Sequence, residues 1–251
     1  MGQSIRAVLF DMDETLIVHR RSGIEQLREG YRRFAEHLDI AGEEKFMRVL
    51  WEKANDLWLM MFDGVITGEV ARPYTFINTL RALRLDESLA PRMLEAFEES
   101  VTEETYPAEG AHETMDALRE AGIRVGVVTN GYVSMQTRKI VKNQLEEHAD
   151  FVMVSEAAGF HKPDVRIFEI AVNRAGSRPE QTLMVGDNLE ADITGSVNAG
   201  LVSVLYDPAG DRRLKVGEDP AFHPPHHIID RLDAVLDLAG VGQAASAAAA
   251  G

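Results

Sequence analysis

An α/β fold, a doubly wound parallel sheet with an inserted α-helical domain, is predicted by three observations. Five short segments rich in Val, Ile, Leu and Met, at about 6–10, 124–128, 151–154, 182–185 and 202–205, are apolar almost throughout. Such runs suit strands covered on both faces of a parallel sheet. Helical patterns separate the last four, the alternation of an α/β protein. The interval of about 17–105 breaks that rhythm, carrying helical stripes and no convincing strand.

The first strand, Ala7-Val8-Leu9-Phe10, runs directly into Asp11-Met12-Asp13-Glu14-Thr15-Leu16. In the insert, Leu27, Tyr31, Phe34 and Leu38 fall on one helical face. Met47, Leu50, Trp51, Ala54, Leu57, Trp58 and Met61 form a second stripe. Phe76, Ile77, Leu80 and Leu83 form a third, and Leu94, Phe97 and Val101 a fourth. These spacings predict a small helical bundle whose Met and aromatic side chains pack against one another. Turns at Asp63-Gly64 and Thr67-Gly68 separate its second and third helices. Beyond the insert, helices are expected over 111–121, ending before Gly122, and over 133–146, 164–175 and 190–199, the last stopping at Gly200. The alanine-rich end, Gln243 to Gly251, has no apolar stripe to dock and reads as a disordered tail. The expected domains are a Rossmann-like core of 1–16 with 106–240, a helical domain of 17–105, and the tail 241–251.

Composition narrows the function. The 251 residues can form one core domain with a smaller insert. A formal net charge of -15 argues against nucleic acid or an anionic membrane as partner, yet leaves room for a small anionic substrate, because a local cation can reverse the field in one pocket. The absence of cysteine removes disulfides, thiolate catalysis and zinc–thiolate sites. No apolar run reaches the length of a membrane span, and the chain starts close to its first strand with no signal-like segment, so a cytoplasmic location is expected.

Four segments carry chemistry, each at an expected strand end, where ligands bind in open α/β sheets. Asp11 and Asp13 sit two residues apart where the first strand ends, so both can converge on one point. Buried carboxylates are costly unless compensated, and a divalent cation with a phosphoryl ligand would compensate them. The alternative is helix capping by Asp13 or Thr15. An EF-hand loop fails, because its obligatory glycine falls on Leu16 and its last acid on Ser22. Thr129-Asn130-Gly131 offers a hydroxyl and backbone amides at a strand-to-helix turn, a phosphate cradle or an ordinary turn. Lys162 is placed at the sheet mouth by Pro163, which disfavours helix at its predecessor and suits the first turn of the next helix; His161 reads as a rim residue. Gly186-Asp187-Asn188 ends the fourth strand and Asp192 follows within the first helical turn. Oxygen donors of this kind suit Mg²⁺, although Asp187 or Asn188 could instead cap the helix.

Taken together, in the order acid pair, hydroxyl, lysine, acid pair, these residues resemble the haloacid dehalogenase superfamily of hydrolases over about residues 5–240. Asp11, Asp13 and Thr15 match its first motif, Thr129 with Asn130 its second, Lys162 its third, and Gly186-Asp187 through Asp192 its fourth. The insert is similar to the family's cap placed between the first and second motifs (subfamily I). Glu14 stands where glycine is frequent. The run from Ser155 to Leu201 is similar to the branch holding nucleotidases and acylneuraminate-9-phosphate phosphatases.

The resemblance implies a Mg²⁺-dependent phosphatase of small phosphorylated metabolites. It implies that Asp11 is the nucleophile, forming an aspartyl-phosphate, and that Asp13 is the general acid and then base. Thr129, the amides near Asn130 and Lys162 bind the phosphoryl group. Asp11, the Asp13 backbone carbonyl and Asp187 hold the metal, with Asp192 beside them, and the cap closes to exclude water. Arg20, Arg21 and Arg72 are candidates for an anionic or sugar-like group. Phosphomutase and 2-haloacid dehalogenase chemistry belong to the same superfamily. Dehalogenation needs no acid at the second position, so Asp13 and Asp187 count against it. A receiver-like signalling module is about half this length. The expected state is monomer or homodimer.

Overall fold

Six parallel strands in the order β5-β4-β1-β6-β7-β8 form the sheet that carries the site. They are β1 (Ala7–Phe10), β4 (Arg124–Thr129), β5 (Phe151–Val154), β6 (Thr182–Gly186), β7 (Val202–Tyr206) and β8 (His227–Ile229). Two further short strands, β2 (Ile17–His19) and β3 (Thr105–Pro107), pair with each other. The structure is a computed structural model and describes residues 4–38, 42–62, 64–216 and 220–241. The chain divides into two compact units, Met1–Val18 with Tyr106–Gly251, and His19–Thr105.

The five expected strands are present to within a residue or two at each end. The sixth, β8, was not legible in the sequence. It is three residues long, follows Pro224-Pro225, and is an edge strand with one neighbour, so the continuous apolar run of a central strand is absent. β1 lies at the centre, with Phe10 in register with Val127 of β4 and Val185 of β6. The chain winds outward on one side of β1 through β4 and β5, then crosses to the other side for β6, β7 and β8. The loops following β1, β4 and β6 therefore converge where the winding direction reverses.

Alternation along the strands feeds two cores. Val8, Phe10, Val125, Val127, Leu183, Val185 and Val204 face one side and pack with Met115, Leu118, Ile140 and Leu145. Ala7, Leu9, Val128 and Met184 face the other, against Ile167, Phe168, Ala171 and Val172. The helices covering these faces are α6 (Ala111–Glu120), α7 (Val133–Lys142), α8 (Leu145–His148), α9 (Ser155–Ala158), α10 (Val165–Ala175), α11 (Gly195–Asn198) and α12 (Ala234–Leu238). Two expected helices differ. The 133–146 stretch breaks at Asn143-Gln144, where Gln144 takes a left-handed φ of 54°. The 190–199 stretch opens with a π-helical turn, Leu189–Thr194, before α11. Val241 packs against the first core rather than belonging to a tail, and the rest of the expected tail lies outside the described residues, as does Asp63 of the expected turn.

The second unit is a helical bundle of α1 (Gly23–Arg33), α2 (Ala35–Leu38), α3 (Glu43–Phe62), α4 (Gly68–Leu83) and α5 (Ala90–Glu103). A capping box starts α1: the Ser22 hydroxyl accepts from the Glu25 amide, and the Glu25 carboxylate accepts from the Ser22 amide. Its core is Tyr31, Phe34, Leu38, Phe46, Leu50, Phe76, Leu80 and Met93. Trp51 departs from the expected packing. It is 63% exposed, because the buried stripe of α3 runs through Phe46, Met47, Leu50 and Met61 and leaves Trp51 at its margin. Among the described residues no helix is long and apolar enough to cross a membrane.

Phe168 is fully buried at the centre of the second core. Phe168→Ala should cost about 3–5 kcal/mol, read as a lowered urea midpoint by circular dichroism. A loss below about 1 kcal/mol would mean that α10 does not anchor this face of the sheet.

Candidate active site

The Asp11 amide donates to the Val185 carbonyl (2.8 Å), which carries the sheet pairing one residue past β1. The chain then turns sharply, and the Met12 carbonyl accepts from the amides of Leu16 (3.0 Å) and Ile17 (2.9 Å). Glu14, at the apex, has a left-handed φ of 59°. That is the backbone reason why glycine suits this position.

Lys162 is the hub. Its side chain is buried, with the residue 3% exposed, and its ammonium donates to Asp11 Oδ1 and to Asp192 Oδ1, both at 2.6 Å. Burial works to lower the Lys162 pKa, but Asp11 and Asp192 outweigh it and hold the ammonium above its ordinary value. The lysine is held from behind by Asn130: the Asn130 side-chain amide donates to the Lys162 carbonyl (2.8 Å), and its oxygen accepts from the Lys162 amide (2.9 Å). The Lys162–Pro163 peptide is cis. Pro163 lies before the N-cap of α10, Asp164, rather than in the first helical turn.

Asp192 sits in the π-helical turn, 1% exposed. Its Oδ2 accepts from the Asn188 amide (3.0 Å). Asn188 caps this turn, its side-chain oxygen accepting from the amides of Glu190 and Ala191. The close approach depends on Gly186, since a Cβ there would stand 2.3 Å from Asp192 Oδ2. Asp187 accepts from the Arg212 guanidinium (2.8 Å). Arg212 belongs to a loop organised by the fully buried Asp207, which accepts from the amides of Arg212 (3.1 Å) and Arg213 (2.9 Å). Burial opposes ionisation of Asp207, but these bonds and the Arg213 side chain bring its pKa down to about 2.

Asp11, Asp187 and Asp192 each offer a carboxylate oxygen, all within 4.8 Å of one another. Two cations, Lys162 and Arg212, face three carboxylates. Burial, opposed by Lys162 and reinforced by Asp192 and Asp187, pushes Asp11 well above the usual carboxylate range. Burial and then Asp192 push Asp187 to about 6, against the pull of Arg212.

Asp13 takes a different direction from the other acids. Its Oδ1 accepts from the Lys139 ammonium (2.7 Å) and its Oδ2 from the Gln136 side-chain amide (2.9 Å), both on α7. The same Gln136 nitrogen reaches Thr129 Oγ1 (2.7 Å) and the Asn130 carbonyl (3.0 Å). Gly131, at φ 146°, admits this arrangement, for a Cβ would stand 2.9 Å from the Gln136 side chain. Its amide donates to Ser155 Oγ (3.0 Å), so that amide of the expected cradle has an internal partner.

The structure thus brings Asp11, Lys162, Asp187 and Asp192 into direct contact or close approach. It sets Thr129 beside Asp13 through Gln136 and uses the Asn130 side chain to hold Lys162. Two of the arginine candidates are engaged within the helical unit, Arg21 by Glu104 and Arg72 by Glu98, while Arg20 is exposed. Sequence reasoning missed Gln136, Lys139 and Arg212. A lysine and a glutamine on the same buried stripe as Ile140 were the available signal for the first two; Arg212, in an irregular loop 25 residues from its partner, offered none.

A haloacid dehalogenase-like hydrolase family model matches residues 5–200. The chain belongs to this family of hydrolases. It is similar to a ribulose-1,5-bisphosphate 5-phosphatase of Halopiger xanaduensis, 30% identical over 92% of this chain and 98% of the relative. It is also similar to a glyceraldehyde 3-phosphate phosphatase of Methanopyrus kandleri, 30% identical over 93% and 97%, and to the pyrimidine 5'-nucleotidase YjjG of Escherichia coli, 30% identical over 78% and 83%. Among solved structures, the magnesium-bound HAD-hydrolase YfnB of Bacillus subtilis shares the fold with a TM-score of 0.66 at 22% identity, over 95% of this chain and 100% of that one. A 2-haloacid dehalogenase of Pseudomonas syringae does so with a TM-score of 0.72 at 22% identity, over 94% and 98%.

The raised Asp187 pKa fixes a sign. A carboxyl with a higher pKa folded than unfolded binds more protons when folded, so stability falls as pH rises from about 4 to about 6. In EDTA, Asp187→Asn should lack part of that fall and melt above the parent protein at pH 7. Added Mg²⁺ should raise the melting temperature of the parent more than that of the variant. Equal gains would remove Asp187 from the groups that could hold a cation.

Proposed function

We propose that this chain is a Mg²⁺-dependent phosphatase of small phosphorylated metabolites, working through an aspartyl-phosphate on Asp11. The observation that carries the reading is the approach of Asp11, Asp187 and Asp192 to within 4.8 Å, with the buried Lys162 bridging two of them. The donor set fits a hard divalent cation, being all carboxylate oxygen and lacking imidazole or thiolate in the cluster. Asp11 and Asp187, with Asp192 beside them and the Asp13 backbone carbonyl, would hold it. Its contribution when bound is to neutralise phosphoryl charge and the repulsion among these acids.

The residues divide the work. Asp11 attacks phosphorus: a bond forms from its carboxylate oxygen to phosphorus, and the bond to the leaving oxygen breaks with its electron pair passing to that oxygen. Asp13 gives the leaving oxygen a proton, then takes one from the water that hydrolyses the acyl phosphate. Lys162 and Thr129 lie beside Asp11 and Asp13 respectively and supply cationic and hydroxyl contacts to the phosphoryl oxygens. The helical unit is a cap, and the protein is cytoplasmic, acting as monomer or homodimer. The phosphatase and nucleotidase relatives support the class of substrate. A phosphomutase would share the first step and differ in the fate of the aspartyl-phosphate.

A panel of nucleotides, sugar phosphates, ribulose bisphosphate, glyceraldehyde 3-phosphate and acylneuraminate 9-phosphate, assayed with Mg²⁺ and with EDTA, tests this. Inorganic phosphate should appear only with Mg²⁺. Silence of folded protein towards every monoester, or transfer between substrates with no phosphate released, would overturn it. Asp11→Asn should abolish turnover with the fold intact by circular dichroism. Asp13→Asn should lower kcat by roughly 10²–10⁴, and an unchanged rate would reject its role.

A further inference from the structure

Lys139 is a lysine on the buried face of α7, 6% exposed, and Gln136, 2% exposed, precedes it by three residues on the same helical face. A buried ammonium is costly unless paired, and its partner is Asp13 at 2.7 Å. The two side chains hold one Asp13 oxygen each, at 2.7 and 2.9 Å, and Gln136 ties that grip to Thr129 Oγ1 at 2.7 Å. The Asp13 side chain is nevertheless 29% exposed.

We infer that Lys139 and Gln136 are positioning residues for acid–base catalysis by Asp13, an inference that rests on the phosphatase reading above. Two donors on one helix fix the rotation of the carboxyl, so its proton is presented in one direction. When the bond from phosphorus to the leaving oxygen breaks, that oxygen takes the bond's electron pair and then the Asp13 proton, and negative charge develops on Asp13. The Lys139 ammonium already faces that carboxyl, at 2.7 Å from Oδ1. Such an interaction strengthens in the transition state and contributes to kcat rather than to substrate affinity. The competing role, a tie between α7 and the turn after β1, would give no preference between leaving groups.

The test compares p-nitrophenyl phosphate, whose leaving group departs with little protonation, with an alkyl phosphate ester on which the parent protein is active. Lys139→Met should lower kcat for the alkyl ester by about 10²-fold and for the aryl ester by less than about 10-fold, with KM within about threefold for both. In the Asp13→Asn background the same substitution should add nothing. Gln136→Ala, which keeps the buried ion pair, should show the same split more weakly and stands in for Lys139→Met if that variant does not fold. Equal losses on both esters, a loss in KM alone, or full additivity with Asp13→Asn would overturn the inference. Inactivity of the parent towards all phosphate monoesters would instead refute the phosphatase reading.

Discussion

Charge compensation around Lys162 is the constraint on which the rest of the site depends. Three acids from two loops approach one another at the buried end of a parallel sheet, where each would otherwise oppose the ionisation of the others. One ammonium, inserted between Asp11 and Asp192, donates to a carboxyl oxygen of each and offsets part of the cost of holding them at this depth. Removing the Lys162 ammonium would leave its two acid partners buried without compensation, which is far costlier than removing an acid from the same cluster. Burial, reinforced by the neighbouring acids, raises the proton affinity of Asp11 and Asp187 against the pull of Lys162 and Arg212.

The scaffold is organised to hold that lysine still. Asn130, at the end of β4, grips both the amide and the carbonyl of Lys162, so the segment after β5 is fixed to the strand beside β1. Gly186 allows Asp192 to close over the end of β6, and the π-helical turn aims it inward. A turn of this kind in a helix is frequent at functional sites because it redirects one side chain without ending the helix. Backbone irregularities at Glu14, Gly131 and Leu189–Thr194 lie in the loops that carry the candidate site residues.

Asp11 and Asp13 are two residues apart yet occupy different electrostatic surroundings. Asp11 faces acids and Lys162; Asp13 faces Lys139, Gln136 and, through Gln136, Thr129. The proposed division of roles between the two carboxyls calls for such divergent settings, since identical carboxyls in identical settings could not be assigned opposite tasks. The helix after β4 supplies the difference, since Gln136 and Lys139 of α7 contact Asp13.

Much of this was legible in the sequence because it is local. Continuous apolar runs mark buried parallel strands, and the end of each run marks the sheet edge where ligands bind, so Asp11, Thr129, Lys162 and Asp187 stand out as candidates once the four strand ends are taken together. Three-residue β8 and the break at Asn143-Gln144 were not legible, since short edge strands and single left-handed residues leave little pattern. Only the tertiary structure decided which group faces which: that Asn130 holds Lys162, that Asp13 turns to Lys139, 126 residues away, and that Arg212 reaches Asp187. The physical reason is that periodicity is a property of neighbours along the chain, whereas pairing of buried charges is fixed by the loops that the sheet order brings together.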